Sequence, residues 1–384
     1  MIYKDFKGMK LSLLGLGAMR LPQKDGVIDE DHALKMVDIA YNSGINYFDT
    51  AYRYHGGVSE PFMKKALSRY PRDSYYLASK MPGHMMNYKD GKLGFQGYLS
   101  DLTINNISEI FEDQLVRCGV DYFDFYLLHN LSESSFDFYT NEEIDVVGYL
   151  KKQKELGRIK HLGMSAHGSA ETIDKFLTMH EGVFEFVQIQ LNYLDWTAQD
   201  AKAKCEVIYE KHGLPVWVME PVRGGKLINI GEGFENQMKA MRPDDSVASW
   251  AFRFLHGLDC VGMILSGMSS IEQLEDNLKT FETLNPVNDE EKALLFKVGD
   301  RLLNLIPCTA CRYCCDECPQ KLDIAKIIAL NNKTIFEDDF NLKEALNELP
   351  EEEMPKMCIS CGVCKNVCPQ GIDVPSIMEK LSNL

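Results

Sequence analysis

A chain of 384 residues, 45% hydrophobic and 26% charged, has room for two domains or one large barrel with an appendage, which excludes disorder and fibrous repeats. No apolar run approaches the roughly 18 residues of a membrane span, and the opening Met1-Ile2-Tyr3-Lys4-Asp5-Phe6 lacks a signal-peptide core, so the expected location is the cytoplasm with no membrane partner. With 41 basic residues against 57 acidic ones the net charge is -16, which repels nucleic-acid phosphates.

In chain order, Ile2 to Phe6 and Met9 to Ser12 flank Lys7-Gly8 and read as a hairpin that plugs one end of the adjoining domain. Eight short β-rich runs come next: Leu13–Leu16, Tyr47–Asp49, Tyr75–Ser79, Phe123–Leu128, His161–Ser165, Phe186–Gln190, Pro215–Met219 and Val261–Leu265. Capped amphipathic helices separate them; Asp29 opens one that Gly44 closes, another runs from Asp200 to Lys211, and the last spans Ser270 to Phe281. The alternation fits a (β/α)8 (TIM) barrel, with a doubly wound parallel sheet as the alternative on pattern alone. Long connections follow the third, fourth and seventh strands, at Met81 to Leu102, Asn130 to Glu143 and Glu220 to Pro243, on the side where barrels build sites. Their Met85, Met86, Tyr88, Phe95 and Phe138 are candidate pocket liners.

Cysteine usage draws the domain boundary. Of 12 cysteines only Cys118, Cys205 and Cys260 precede Cys308. The rest include two runs of one spacing, each ending in Cys-Pro: Cys308-x2-Cys311-x2-Cys314-x3-Cys318 and Cys358-x2-Cys361-x2-Cys364-x3-Cys368. Three thiolates spaced by turns can hold three corners of a cubane, while the fourth reaches the neighbouring one. The expected cofactors are two [4Fe-4S] clusters, one on Cys308, Cys311, Cys314 and Cys368, the other on Cys358, Cys361, Cys364 and Cys318. Zinc is the competing reading, but two runs of four do not resemble its separated pairs. Cys315 is a bystander. Helical spacing at Ile324–Leu330 and Leu342–Leu349 makes this a mainly helical ferredoxin-like domain. The expected domains are residues 1–285 (barrel), 286–306 (linker helix) and 307–384 (clusters).

The strand pattern places Asp49, Lys80 and His129 at the ends of the second, third and fourth strands, with Tyr54 five residues after Asp49. These side chains suit carbonyl reduction. An ammonium lowers a phenol's pKa from near 10, Asp49 pairs the buried Lys80, His129 positions the carbonyl, and Tyr54 protonates the developing alkoxide. Taken singly, each also reads as packing or capping.

The segments Asn46-Tyr47-Phe48-Asp49-Thr50-Ala51-Tyr52-Arg53-Tyr54, Ala78-Ser79-Lys80 and Asp124-Phe125-Tyr126-Leu127-Leu128-His129 resemble, in order and spacing, the tetrad segments of the aldo-keto reductase family. The likeness spans about residues 1–285, and the cysteine tail looks like the dicluster domain fused to some of its members. The resemblance implies a nicotinamide cofactor whose hydride goes to an aldehyde or ketone. It implies that Ser165 and Gln188 hold the carboxamide with help from Asn192, and that Met219 stands where an aromatic usually stacks. Arg223 would neutralise Glu220. The loop Ser266-Gly267-Met268 before a helix would take the phosphates, with Gln273 and Asn277 at the adenosine end; the same loop also reads as a simple capped helix start. Gly267 and Gln273 stand where many members carry Lys and Arg, which leaves NADP versus NAD open.

Hydride moves two electrons and a cluster one, so direct coupling needs a converter such as a flavin, of which no separate fingerprint is visible. Three functions fit. One is an NAD(P)- or ferredoxin-linked carbonyl oxidoreductase whose clusters exchange electrons with a ferredoxin- or flavodoxin-type carrier. The others are a carbonyl reductase with structural or regulatory clusters, and a non-catalytic redox sensor.

Overall fold

The computed structural model describes residues 1–95, 104–308, 312–336, 340–366, 368 and 371–384. The chain forms two compact units: residues 1–228 with 245–289, and residues 229–244 with 290–384.

In the first unit, β1 (Tyr3–Phe6) and β2 (Met9–Ser12) form the hairpin, turning through Lys7 at φ 52° and Gly8 at φ 84°. Two left-handed residues match the twist of paired strands, which is why the turn ends in glycine. The barrel strands are β3 (Leu14–Gly17), β6 (Tyr47–Asp49), β7 (Tyr76–Met81), β10 (Phe123–Leu131), β11 (Ile159–Ala166), β12 (Val187–Gln190), β13 (Val216–Met219) and β14 (Val261–Ser266). Small ribbons β4 (Gln23–Lys24) with β5 (Val27–Ile28), and β8 (Met86–Lys89) with β9 (Lys92–Phe95), decorate the connections. Every barrel pairing is parallel and the circuit closes, β14 on β3 and β7 on β10. All eight expected strands are present, and the barrel is preferred to the open sheet because the edges pair.

Inside, Tyr47, Phe125, Phe186, Trp217 and Met263 are fully buried, and Phe6 of the hairpin joins them. The Phe6 ring lies 5.0 Å from Trp217, edge to face, so the hairpin does plug that end. Gly163 on β11 makes room: a Cβ there would stand 2.3 Å from the Phe186 ring.

The second unit is mainly helical. Helices Asp289–Leu303, Ile324–Phe336, Leu342–Asn347 and Val374–Ser382 account for most of it, and Leu322, Ile327, Ile328, Leu346 and Met378 form its core. Helix Glu232–Met241, which the sequence places in the connection after the seventh strand, belongs here too. Its end is fixed by Arg242, whose Nε and Nη2 donate to Glu291 at 2.6 and 2.7 Å.

Candidate active site

Asp49 ends β6, Lys80 lies near the end of β7 and His129 near the end of β10, three neighbouring strands. Tyr54 reaches them because the chain turns sharply behind it: His55, Gly56 and Gly57 take φ values of 53°, 67° and 98°. The two glycines meet that demand without strain; His55 does not. Lys80, 1% exposed, donates from Nζ to Asp49 Oδ1 at 2.5 Å and to the Thr50 carbonyl at 2.9 Å. Its Nζ lies 5.0 Å from the Tyr54 ring centroid, and the Tyr54 and His129 rings are 5.9 Å apart, nearly perpendicular. All four residues line one cavity of about 380 Å³.

Burial sets the protonation states. Burial alone would lower the Lys80 pKa, but Asp49 and Tyr54 outweigh it and hold the ammonium above its ordinary value. Burial pushes the Asp49 carboxyl up against the pull of Lys80. It also raises the Tyr54 phenol, with Lys80 opposing, so the net shift is upward and not the lowering that the charge argument gave. Burial takes His129 well below its ordinary value, reinforced by His84, Lys80 and His167. The site therefore presents a protonated phenol and a neutral imidazole.

Residues the sequence reading passed over hold this geometry. The His129 carbonyl accepts from Tyr139 Oη at 2.6 Å and contacts His84 Nδ1 at 3.1 Å. This pins the strand end where the β10–β11 register shifts between Leu128 and Leu131. Behind Lys80, Gln114 Nε2 donates to the Lys80 carbonyl at 3.2 Å, to Ser79 Oγ at 2.8 Å and to Glu60 Oε1 at 2.7 Å. Arg117 Nε closes on Glu60 Oε2 at 2.8 Å. A buried, satisfied polar network of this kind fixes one backbone arrangement. Its only sequence signal was polar residues on otherwise apolar faces.

The same cavity is also lined by Ser165, Gln188, Met219, Ser266, Gly267, Met268, Gln273 and Asn277. Gln188 Oε1 is buried without a hydrogen-bond partner, which suits the amide N–H of a carboxamide. Ser270 caps helix Ile271–Thr280, its side chain accepting from the Gln273 backbone N–H, so the capped-start reading of that loop is met. These residues fit a nicotinamide cofactor. Two expected contacts do not line the cavity. Asn192 is consumed by its own turn, donating to Asp195 Oδ2 at 2.6 Å and to the Glu220 carbonyl at 2.9 Å. Arg223 faces Asp195, at 3.4 Å, and not Glu220; the cation opposite Glu220 is Arg20, at 3.9 Å. None of Met85, Met86, Tyr88, Phe95 and Phe138 lines it either. Met86, Phe95 and Phe138 are buried within the loops, Phe95 stacking on Tyr52.

In the second unit, Cys318, Cys358, Cys361 and Cys364 ring a single cavity with Leu322, Val374 and Met378, the very set expected to share a cluster. Cys308, Cys314 and Cys368 pack on the same apolar core, and Cys311 lies outside the described residues. Among the described residues no three Cys, His, Asp or Glu groups close on the point a single ion would fill. Thiols are the donor type that a 4Fe-4S centre takes, and four of them border this one cavity. Cys315 Sγ points instead to Asp323 Oδ1, 3.8 Å away.

The model of the aldo/keto reductase family matches residues 13–298, and that of a 4Fe-4S dicluster domain matches residues 307–373. The chain is similar to L-galactose dehydrogenase of Arabidopsis thaliana, 25% identical over 304 residues, covering 75% of this chain and 89% of that one. It is similar to the NADH-specific methylglyoxal reductase of Escherichia coli, 27% identical over 226 residues, 56% of this chain and 65% of the other. Among solved structures, aldo-keto reductase AKR11C1 from Bacillus halodurans superposes with a TM-score of 0.57 at 26% identity, over 76% of this chain and 93% of that one. The closed barrel, its convergent Asp, Tyr, Lys and His, and these likenesses agree: the chain belongs to the aldo/keto reductase family and carries a 4Fe-4S dicluster domain after its barrel.

Proposed function

We propose that the protein interconverts an aldehyde or ketone and the corresponding alcohol, with Tyr54 as the proton donor and acceptor. The observation that carries this reading is the convergence of Tyr54, Lys80, Asp49 and His129 on one cavity, with the Lys80–Asp49 pair at 2.5 Å. Reduced nicotinamide, NADH or NADPH, supplies a hydride when bound. Ser165 and Gln188 would hold its carboxamide, and the loop at Ser266, Gly267 and Met268 would receive its phosphates. Neutral His129 donates a hydrogen bond to the carbonyl oxygen and polarises it. Tyr54 gives its phenolic proton to that oxygen as negative charge develops there, and Lys80 stabilises the phenolate left behind. Asp49 keeps Lys80 charged in a site that would otherwise neutralise it. A reductase of methylglyoxal and a dehydrogenase of L-galactose among the similar proteins support carbonyl chemistry.

The eight cysteines of the two runs would hold two [4Fe-4S] clusters that pass single electrons to or from a protein carrier. Coupling a two-electron hydride to these one-electron clusters would need a flavin bound to this protein, visible as a yellow chromophore after anaerobic purification. The test is anaerobic purification with iron counting, followed by EPR. Clusters that change redox state when NAD(P)H, carbonyl substrate and carrier are mixed support electron transfer; clusters that stay unchanged while NAD(P)H is consumed remove it.

A further inference from the structure

A second depression, of about 720 Å³, opens beside Tyr54. Met19, Arg20, Tyr54 and Ser269 border both spaces, so this groove continues the reaction cavity past the phenol. Arg20, Gln23, Asp29, His32, Arg53 and His55 supply its polar wall. Its charge runs against that of the molecule: Arg20 and Arg53 line it with Asp29 as the one carboxylate, and Glu220 of the reaction cavity lies 3.9 Å from Arg20, on a chain with 57 acidic and 41 basic residues. The Asp29 carboxylate is engaged, since its Oδ1 caps helix Glu30–Asn42 by accepting from the His32 backbone N–H. His32 Nε2 is buried in the structure without a hydrogen-bond partner. Burial lowers the His55 pKa, so its ring adds hydrogen bonding and not charge near neutral pH.

We propose that this groove binds an anionic oxygen group, carboxylate or phosphate, borne by the carbonyl substrate. Arg53 adjoins Tyr54 in the chain and Arg20 borders both spaces, so an anion held between them leaves the reactive carbon on the Tyr54 side. Guanidinium suits the task because its planar fork grips carboxylate and phosphate oxygens in pairs. The inference rests on Tyr54 being the proton donor.

The test uses the full chain with its clusters, without oxygen, and two matched pairs: 4-carboxybenzaldehyde against benzaldehyde, and glyceraldehyde 3-phosphate against glyceraldehyde. At least one charged member should exceed its neutral partner in kcat/KM, and Arg53→Gln and Arg20→Gln should each cut that ratio about 10–100-fold, through KM. The pair that responds tells carboxylate from phosphate. Equal losses on both members of a pair would mark a structural role and overturn the proposal, as would no preference in the unaltered protein. If Arg53→Gln weakens NADPH binding, read by fluorescence, while the ratio stays, the anion is the cofactor's and the proposal falls. Should no aldehyde be reduced, the reading of Tyr54 fails by itself. Calorimetric titration with inorganic phosphate then decides the groove: binding lost in Arg53→Gln upholds it, and no binding overturns it.

Discussion

At the scale of single residues, the buried Lys80–Asp49 pair does two tasks that mutation can separate. Removing one partner leaves a charge without compensation at 1% exposure, so Asp49→Ala should lower stability by about 3–5 kcal/mol in denaturant melts. The phenol sets the pH dependence. Its pKa lies above 10, so it is protonated at neutral pH, and kcat/KM for carbonyl reduction should stay level across neutral pH and fall only as pH rises through the raised value. Alcohol oxidation needs the phenolate and should rise with pH over the same range. His129, neutral because its pKa is depressed, should give no inflection near its ordinary value. An inflection near pH 6.5 in the reduction profile would assign the proton to the imidazole instead.

Elements explain why these residues hold their places. Strand β10 carries His129 on an irregular end that Tyr139 and His84 secure from the loops. Tyr139→Phe removes the shorter of those contacts and should lower kcat several-fold while leaving the melting profile within about 1 kcal/mol, the net value of one hydrogen bond. At the other end of the barrel Glu185 ties the hairpin to its neighbours through Lys7 at 2.5 Å, Lys154 at 3.0 Å and His161 at 3.1 Å. Burial alone would raise this carboxyl, but those bonds outweigh it and hold it well below the carboxylate range. A depressed carboxyl stabilises the fold above its unfolded pKa of roughly 4.3, and that contribution fades as pH falls through the folded value. Glu185→Gln should therefore cost about 1–2 kcal/mol at pH 7, with the difference shrinking in acid.

For the whole molecule, strand periodicity and cysteine spacing carried most of the fold. Both are local patterns, and a closed parallel barrel and a cluster fold result from them by general rules. The four polar residues were legible because each ends a strand or lies just beyond one. Asn192 and Arg223 were not, because their partners, Asp195 and the Glu220 carbonyl, are set by loop conformation that no period encodes. Arg20 escaped notice for the same reason, as did the inclusion of helix Glu232–Met241 in the second unit. The second unit's core is built around its thiols, with Cys314 and Cys364 among the buried residues. Stripping iron with a chelator should therefore unfold that unit, seen as loss of helical circular dichroism, whereas the barrel's own melting transition persists. No helix among the described residues is long and apolar enough to cross a membrane.

The most direct measurement is single-turnover reduction of an aldehyde by NAD(P)H, followed by cofactor absorbance, in the iron-loaded protein and in Tyr54→Phe. The expected result is a fall of about 10²–10⁴-fold in the rate of the chemical step, with cofactor binding and circular dichroism unchanged. A variant that reduces the aldehyde at the parent rate would show that the proton comes from elsewhere and that the gathering of Tyr54, Lys80, Asp49 and His129 is not the centre of the chemistry.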